Sequence, residues 1–276
     1  MQDNYHPIGV FDSGYGGLTI LKSIVEKLPQ YDYIYLGDNA RTPYGSRSFD
    51  VVYEYTRQAV MKLFSMGCQL VILACNTASA KALRTIQQND LPLGDPSRRV
   101  LGVIRPSIEK IPLLTRTGHV GVLGTTGTVL SASYPLEIAK ISGNSIVVTQ
   151  EACPMWVPLV ENDETSNPAA DYFVSKNIRQ LFQHDSIIDT VILGCTHYPL
   201  LMSTIKKYLP DHVTLIEQGP IVAESLADYL MRHPEINEIC SKEGSRRFLT
   251  TESVENFETR AGLFLGSSLR AEKIQL

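Results

Sequence analysis

Residues 191–200 read VILGCTHYPL, and residues 71–80 read VILACNTASA. In each, a Val-Ile-Leu run ends in a small residue, Gly194 or Ala74, and then in a cysteine, Cys195 or Cys75. A short apolar run bounded by small and polar residues reads as a strand buried on both faces. Working outward, YHPIGVFDS (5–13), YDYIYLGD (31–38), QLVILACN (69–76) and RVLGVIRP (99–106) share that pattern. So do GHVGVLGT (118–125), SIVVTQEAC (145–153), DTVILGCT (189–196) and VTLIEQG (213–219). Helix-patterned segments lie between them, at 18–28, 49–67, 78–88, 168–185 and 220–233. Apolar strands alternating with helices predict an α/β protein with mainly parallel sheets flanked by helices.

The two cysteine stretches, each between two helical segments, point to two similar domains. NDLPLGDPSRR (89–99) is charged and contains prolines, and reads as the crossing between them. Open α/β sheets bind ligands at the carboxyl ends of their strands. Both cysteines occupy such ends, so the expected active site is a cleft between the two halves.

The bulk composition narrows the function classes. The 276 residues are 43% hydrophobic and 20% charged with a net charge of −4, the profile of a globular protein without broad affinity for nucleic acid or anionic membranes. No apolar run approaches the ~18–20 residues of a membrane span. MQDNYHPIGVFDSG (1–14) lacks the basic and apolar regions of a signal peptide, which gives a cytoplasmic expectation. Five widely spaced cysteines, at 68, 75, 153, 195 and 240, make a poor disulfide framework, and no spacing suits zinc. Cys68 and Cys240 read as buried packing residues.

Three stretches are candidates for chemistry. FDSGYGGLTI (11–20) tempts a phosphate-loop reading, but Thr19 breaks GxGxxG and no Walker pattern follows. What remains is a turn that either binds a small anion such as a carboxylate or simply reverses the chain with Asp12 as a cap. GDNARTPYGSRS (37–48) is too polar for core; Tyr44 and Gly45 are placed to close over a substrate, while Arg41 reads as part of a surface turn. The sharpest signal is the pair of cysteines. Each precedes a helical segment, where a thiolate is favoured. Asn76, Thr77 and Thr196 offer groups for carboxylates, and His197 offers a proton carrier at neutral pH. Asp12 takes the matching part near Cys75. A hydrolase needs one nucleophile. Two thiols on opposite sides of a substrate suit stereoinversion, one removing a proton from carbon and the other replacing it from the opposite face. The competing reading is two buried strand-end cysteines. Trp156, the only tryptophan, reads as packing.

Taken together, IGVFDSGYGGLT, YLGDNARTPYG, ACNTASA, GVLGTTGTVLS, ACPMWVPLVE and LGCTHYPLL closely resemble, in order, the blocks of the glutamate racemases of the cofactor-independent aspartate/glutamate racemase superfamily. The resemblance runs from near residue 8 to about 201. It implies interconversion of L- and D-glutamate, without pyridoxal phosphate or metal, to supply D-glutamate for bacterial peptidoglycan. It implies an N-terminal domain of 1–98 plus 212–276 and a second domain of 99–211. By motif, Cys75 would exchange the α-proton on the D-glutamate face with help from Asp12, and Cys195 on the L-glutamate face with help from His197. Glu161 would be a further acidic group near the second thiol. Substrate contacts would come from Asp12, Ser13, Tyr44, Gly45, Asn76, Thr77, Thr196 and His197, with Thr125 and Thr128 added from GTTGT. The partners implied are glutamate, a second copy of the chain and, as in some members, a peptidoglycan-precursor effector, with neither nucleic acid nor membrane.

The alternatives are aspartate racemase or another two-cysteine racemase, a single-cysteine hydrolase or decarboxylase, and a non-enzymatic amino-acid binder. GVIRPSIEK, with Arg105 and Ser107, LIEQGPIVA, and the long ENDETSNPAADYF depart from the family pattern. None of them touches the cysteine motifs.

Overall fold

All eight apolar runs form strands in the computed structural model, which describes residues 5–276. Met1–Asn4, part of the stretch read for a targeting segment, lie outside the described residues. The strands are β1 (Ile8–Asp12), β2 (Tyr33–Gly37), β3 (Leu70–Leu73), β4 (Arg99–Gly102), β5 (His119–Gly124), β6 (Val147–Ala152), β7 (Thr190–Gly194) and β8 (Thr214–Ile216). Two more, β9 (Arg246–Thr250) and β10 (Ala271–Lys273), were not foreseen. β9 opens on two arginines before its buried half and is paired on both sides, and β10 is a short, largely exposed strand at the edge of their sheet, polar as an edge should be.

The chain divides into two units, Met1–Val103 with Gly219–Leu276, and Ile104–Gln218. The first carries a parallel sheet in the order β10-β9-β2-β1-β3-β4, the second a parallel sheet in the order β6-β5-β7-β8. The order β2-β1-β3-β4 in the one matches β6-β5-β7-β8 in the other, so β3 and β7, the strands that lead to the cysteines, are topological equivalents. Pairing decides the boundaries. β4 joins β3, which carries 99–103 into the first unit, beyond the crossing read at 89–99. β8 joins β7, which keeps 212–218 in the second unit rather than with the tail.

The helices follow from local rules. Gly17–Lys27 buries Leu18, Leu21 and Ile24 at helical spacing and ends on a basic residue. Phe49–Ser65 starts behind Ser48, whose hydroxyl accepts from the Val51 N–H, and Pro168–His184 starts behind Asn167, which does the same for Ala170. The helix expected over 78–88 is instead broken into Asn76–Lys81, Leu83–Thr85 and a π-turn at Ile86–Asp90. Asp90, at the end of that turn, is held by the Tyr53 hydroxyl and the Arg57 guanidinium. None of the helices of the described residues is long and apolar enough to cross a membrane.

Candidate active site

In the first unit, Phe11 pairs with Leu73, and the Ala74 N–H continues the ladder to the Phe11 carbonyl at 2.8 Å. That register brings Ser13 beside Cys75, where the hydroxyl and the thiol sulfur lie 3.4 Å apart. Cys75 has extended backbone and caps the helix Asn76–Lys81, its sulfur accepting from the Ala78 N–H at 3.4 Å. A thiol at a helix start gains from the amide dipoles when it ionises. It is 6% exposed, and Asn76 and Thr77, the first two helical residues, are also buried.

Asp12 is buried and accepts from the Gly14 N–H at 2.9 Å through Oδ2. The glycine turn has a packing reason of its own: a Cβ at Gly17 would fall 2.5 Å from Asp12 Cβ and 2.9 Å from Ala74 Cβ. Glycine therefore lets the first helix start against the ends of β1 and β3, which lead to the candidate residues. Below them, the buried Tyr35 donates to the Gly14 carbonyl at 2.9 Å. Burial pushes its pKa well up, and the nearby charges of Asp12 and Cys75 push it further, so the phenol stays neutral.

Tyr44 is fully buried and donates to Asp38 Oδ2 at 2.5 Å. Arg41 Nε donates to the same oxygen at 2.6 Å, and the Thr251 hydroxyl donates to Asp38 Oδ1 at 2.9 Å. Arg41 also bonds Gln58 and lies 4.1 Å over the Tyr55 ring, so it is the internal clamp of this loop rather than part of a solvent-facing turn. Gly45 follows Tyr44 and is half-buried.

In the second unit, Gly124 pairs with Gly194, so Thr125 stands at the end of β5 as Cys195 stands at the end of β7. Thr125 is thereby the counterpart of Ser13. Its hydroxyl caps the next turn, accepting from the Thr128 N–H at 3.2 Å and donating to the Thr128 hydroxyl at 3.1 Å. Cys195, 6% exposed, does not cap a helix: a 3-10 turn begins only at Tyr198, with Thr196 and His197 buried between. Cationic help for Cys195 comes instead from His197. His197 Nδ1 lies 3.8 Å from Cys195 Sγ, and Nε2 lies 3.0 Å from Glu161 Oε1. Burial disfavours the imidazolium, but the hydrogen bonds and charges of Cys195 and Glu161 outweigh it and raise the His197 pKa to about 10.

The packing around this chain of groups is dense. Trp156, buried as expected, opens the helix Trp156–Glu161, donates to Asn177 Oδ1 at 3.0 Å and packs on Tyr198 at 4.7 Å between ring centroids. The other thiols are buried and free. Desolvation raises Cys153 strongly, Cys68 to about 12 and Cys240 to about 11, which suits packing and not acid–base work. Among the described residues no group of three or more His, Cys, Asp or Glu is arranged to hold a metal ion.

The structure thus joins Ser13 to Cys75 and joins Glu161, His197 and Cys195, and it sets Asp12, Tyr44, Asn76 and Thr77 in the first unit and Thr125, Thr128 and Thr196 in the second. Tyr35, Asp38 and Thr251 escaped the sequence reading. Asp38 had one available signal, an acidic residue directly after the apolar run of β2.

Known proteins resemble this chain over nearly its whole length. The family model for Asp/Glu/Hydantoin racemase matches residues 8–226. A glutamate racemase from Paracoccus denitrificans is 40% identical over 276 residues, covering 96% of this chain and 98% of its own. The crystal structure of the glutamate racemase isoform RacE1 from Bacillus anthracis superposes with a TM-score of 0.89 at 35% identity, covering 99% of this chain and 98% of that one. A Francisella tularensis glutamate racemase, solved in complex with D-glutamate, gives 0.86 at 31% identity, covering 99% and 98%. The chain belongs to the Asp/Glu/Hydantoin racemase family.

Proposed function

We propose that this chain is a glutamate racemase that interconverts L- and D-glutamate with two thiols and supplies D-glutamate for peptidoglycan. The observation that carries the reading is the Glu161–His197–Cys195 series: an imidazole held between a carboxylate and a thiol is placed to assist that thiol in taking a proton from carbon. A lone hydrolytic nucleophile leaves unexplained the second thiol, which stands at the equivalent strand end beside Ser13.

The reaction runs as follows. The Cys195 thiolate takes the α-proton of L-glutamate and becomes a thiol, and the electron pair of the C–H bond stays on the α-carbon. The Cys75 thiol then gives its proton to the opposite face and is left as the thiolate. D-glutamate forms, and the two cysteines have exchanged protonation states. The reverse reaction starts from that state, and exchange with solvent resets it. His197 stabilises charge at Cys195, while Asp12 and Ser13 serve Cys75. Backbone N–H groups and hydroxyls of Asn76, Thr77 and Thr196, with Tyr44 and Gly45, hold the carboxylates, and Thr125 and Thr128 extend that set. Hydrogen-bond donors fixed in a water-poor site stabilise the carbanion.

Relatives at this identity are glutamate racemases, and glutamate is therefore preferred over aspartate. Circular dichroism of the purified protein with L- or D-glutamate, and separately with aspartate, tests the reading. Decay of optical rotation from either glutamate enantiomer to zero is expected. A faster decay with aspartate would favour the aspartate reading, and no decay with either would reject racemisation.

A further inference from the structure

Gly194 stands directly before Cys195 at the end of β7. A Cβ at Gly194 would fall 3.2 Å from Tyr134 Cε2 and 3.0 Å from the Leu123 carbonyl, so glycine lets the tyrosine ring lie against the backbone that carries the thiol. Cε2 adjoins the ring carbon that bears the hydroxyl, so the hydroxyl end of the ring makes this approach. Tyr134 is fully buried. Its hydroxyl accepts from Gln218 Nε2 at 3.1 Å, and the same nitrogen donates to Ser107 Oγ at 3.0 Å. Gln218 is 3% exposed and is the last residue of the second unit.

A buried amide is costly unless its hydrogen bonds are made, and once they are made it is confined to one orientation. Ser107 and Tyr134 together confine the Gln218 Nε2. Burial raises the Tyr134 pKa and outweighs the hydrogen bond from Gln218, which lowers it, while the charge of the nearby Cys195 adds to the rise, so the phenol stays neutral. No group in this arrangement exchanges a proton with a substrate. Its consequence is geometric, because the ring cannot shift without giving up its tether.

We propose that Gln218 is a positioning residue for the racemisation: its amide fixes the Tyr134 ring against Gly194, and the ring fixes where the Cys195 thiol sits. This rests on the reading of Cys195 as the base for the L-face. Proton transfer from carbon tolerates little error in donor–acceptor placement. Releasing the tether therefore slows transfer at Cys195 and leaves transfer at Cys75 unchanged.

Rates alone do not reveal which thiol is affected. Enantiomers have equal free energies, so kcat/KM falls by the same factor in both directions. Isotope effects separate the two. We would measure kcat/KM with α-protiated and α-deuterated L- and D-glutamate for wild type, Gln218→Met, Tyr134→Phe and the double variant. Each single variant is expected to lose about tenfold in kcat/KM, the size expected for one lost buried hydrogen bond. The isotope effect should rise from L-glutamate and fall from D-glutamate, and the double variant should lose no more than the worse single one. Isotope effects that change equally in both directions, or losses that multiply in the double variant, would overturn the inference. If Gln218→Met does not fold, Tyr134→Phe, which keeps the ring, decides alone by the same asymmetry. Failure of the wild type to racemise glutamate would instead reject the reading on which the inference stands.

Discussion

His197 and Glu161 face each other at 3.0 Å through Nε2 and Oε1, while the other ring nitrogen of His197 is turned to Cys195. The carboxylate therefore orients the ring and stabilises its charge in one contact. In Glu161→Gln the charge support is gone and the His197 pKa falls from about 10, so the imidazolium is lost at lower pH. The alkaline limb of kcat/KM for glutamate is expected to move to lower pH, which a pH–rate profile of the two proteins checks. An unmoved limb would separate Glu161 from the chemistry.

The same shift bears on stability. The folded pKa of His197, about 10, lies above its ordinary 6.5. A raised pKa means that the folded state holds the proton more tightly than the unfolded chain. Its contribution is complete below 6.5 and is lost as pH rises towards about 10. The gap in denaturant midpoint between wild type and His197→Gln is expected to be larger at pH 6 than at pH 10. Equal gaps would contradict the shift.

Asp189 works with the opposite sign. Burial alone would raise its pKa, but the Thr115 hydroxyl at 2.7 Å, the N–H groups of Thr117 at 2.8 Å and Arg116 at 2.6 Å, and the Thr190 hydroxyl hold it well below the usual carboxylate range. Its contribution is present above the ordinary carboxylate pKa and is lost as pH falls below it. Asp189→Asn turns a donor towards a donor and is expected to cost about 1–3 kcal/mol at pH 7. Urea unfolding at pH 7 and pH 3 should show that difference narrowing in acid.

Asp38 gathers the loop that carries Tyr44. One oxygen takes both Tyr44 and Arg41, and the other takes Thr251. Asp38→Asn leaves the Arg41 charge without its carboxylate and is expected to destabilise by about 3 kcal/mol, the lower end of the range for breaking a buried pair. Thermal unfolding checks it. A change within about 0.5 kcal/mol, as for an ordinary surface substitution, would mean that the clamp contributes little.

Much of this was legible in the chain. Buried parallel strands announce themselves as unbroken apolar runs, and all eight of those quoted formed strands. β9 and β10 stayed hidden because an arginine-led strand and a polar edge strand carry no such run. The thiols, His197 and Glu161 follow from local motif. The Asp38–Thr251 and Ser107–Gln218 contacts do not, since they join residues more than a hundred positions apart. The latter contact links two stretches, GVIRPSIEK and LIEQGPIVA, that separately depart from the family pattern. The broken helix after Cys75 was illegible too, because its composition suits a continuous one.

The two-thiol mechanism requires both cysteines to reach the same α-carbon. Its most direct test is racemisation of L-glutamate in D₂O, sampled early and read by mass spectrometry of each separated enantiomer, for wild type, Cys75→Ala and Cys195→Ala. The wild type is expected to place deuterium in the newly formed D-glutamate while the remaining L-glutamate keeps its proton, and neither variant is expected to form product. Deuterium appearing equally in both enantiomers, or either variant racemising at the wild-type rate, would contradict it.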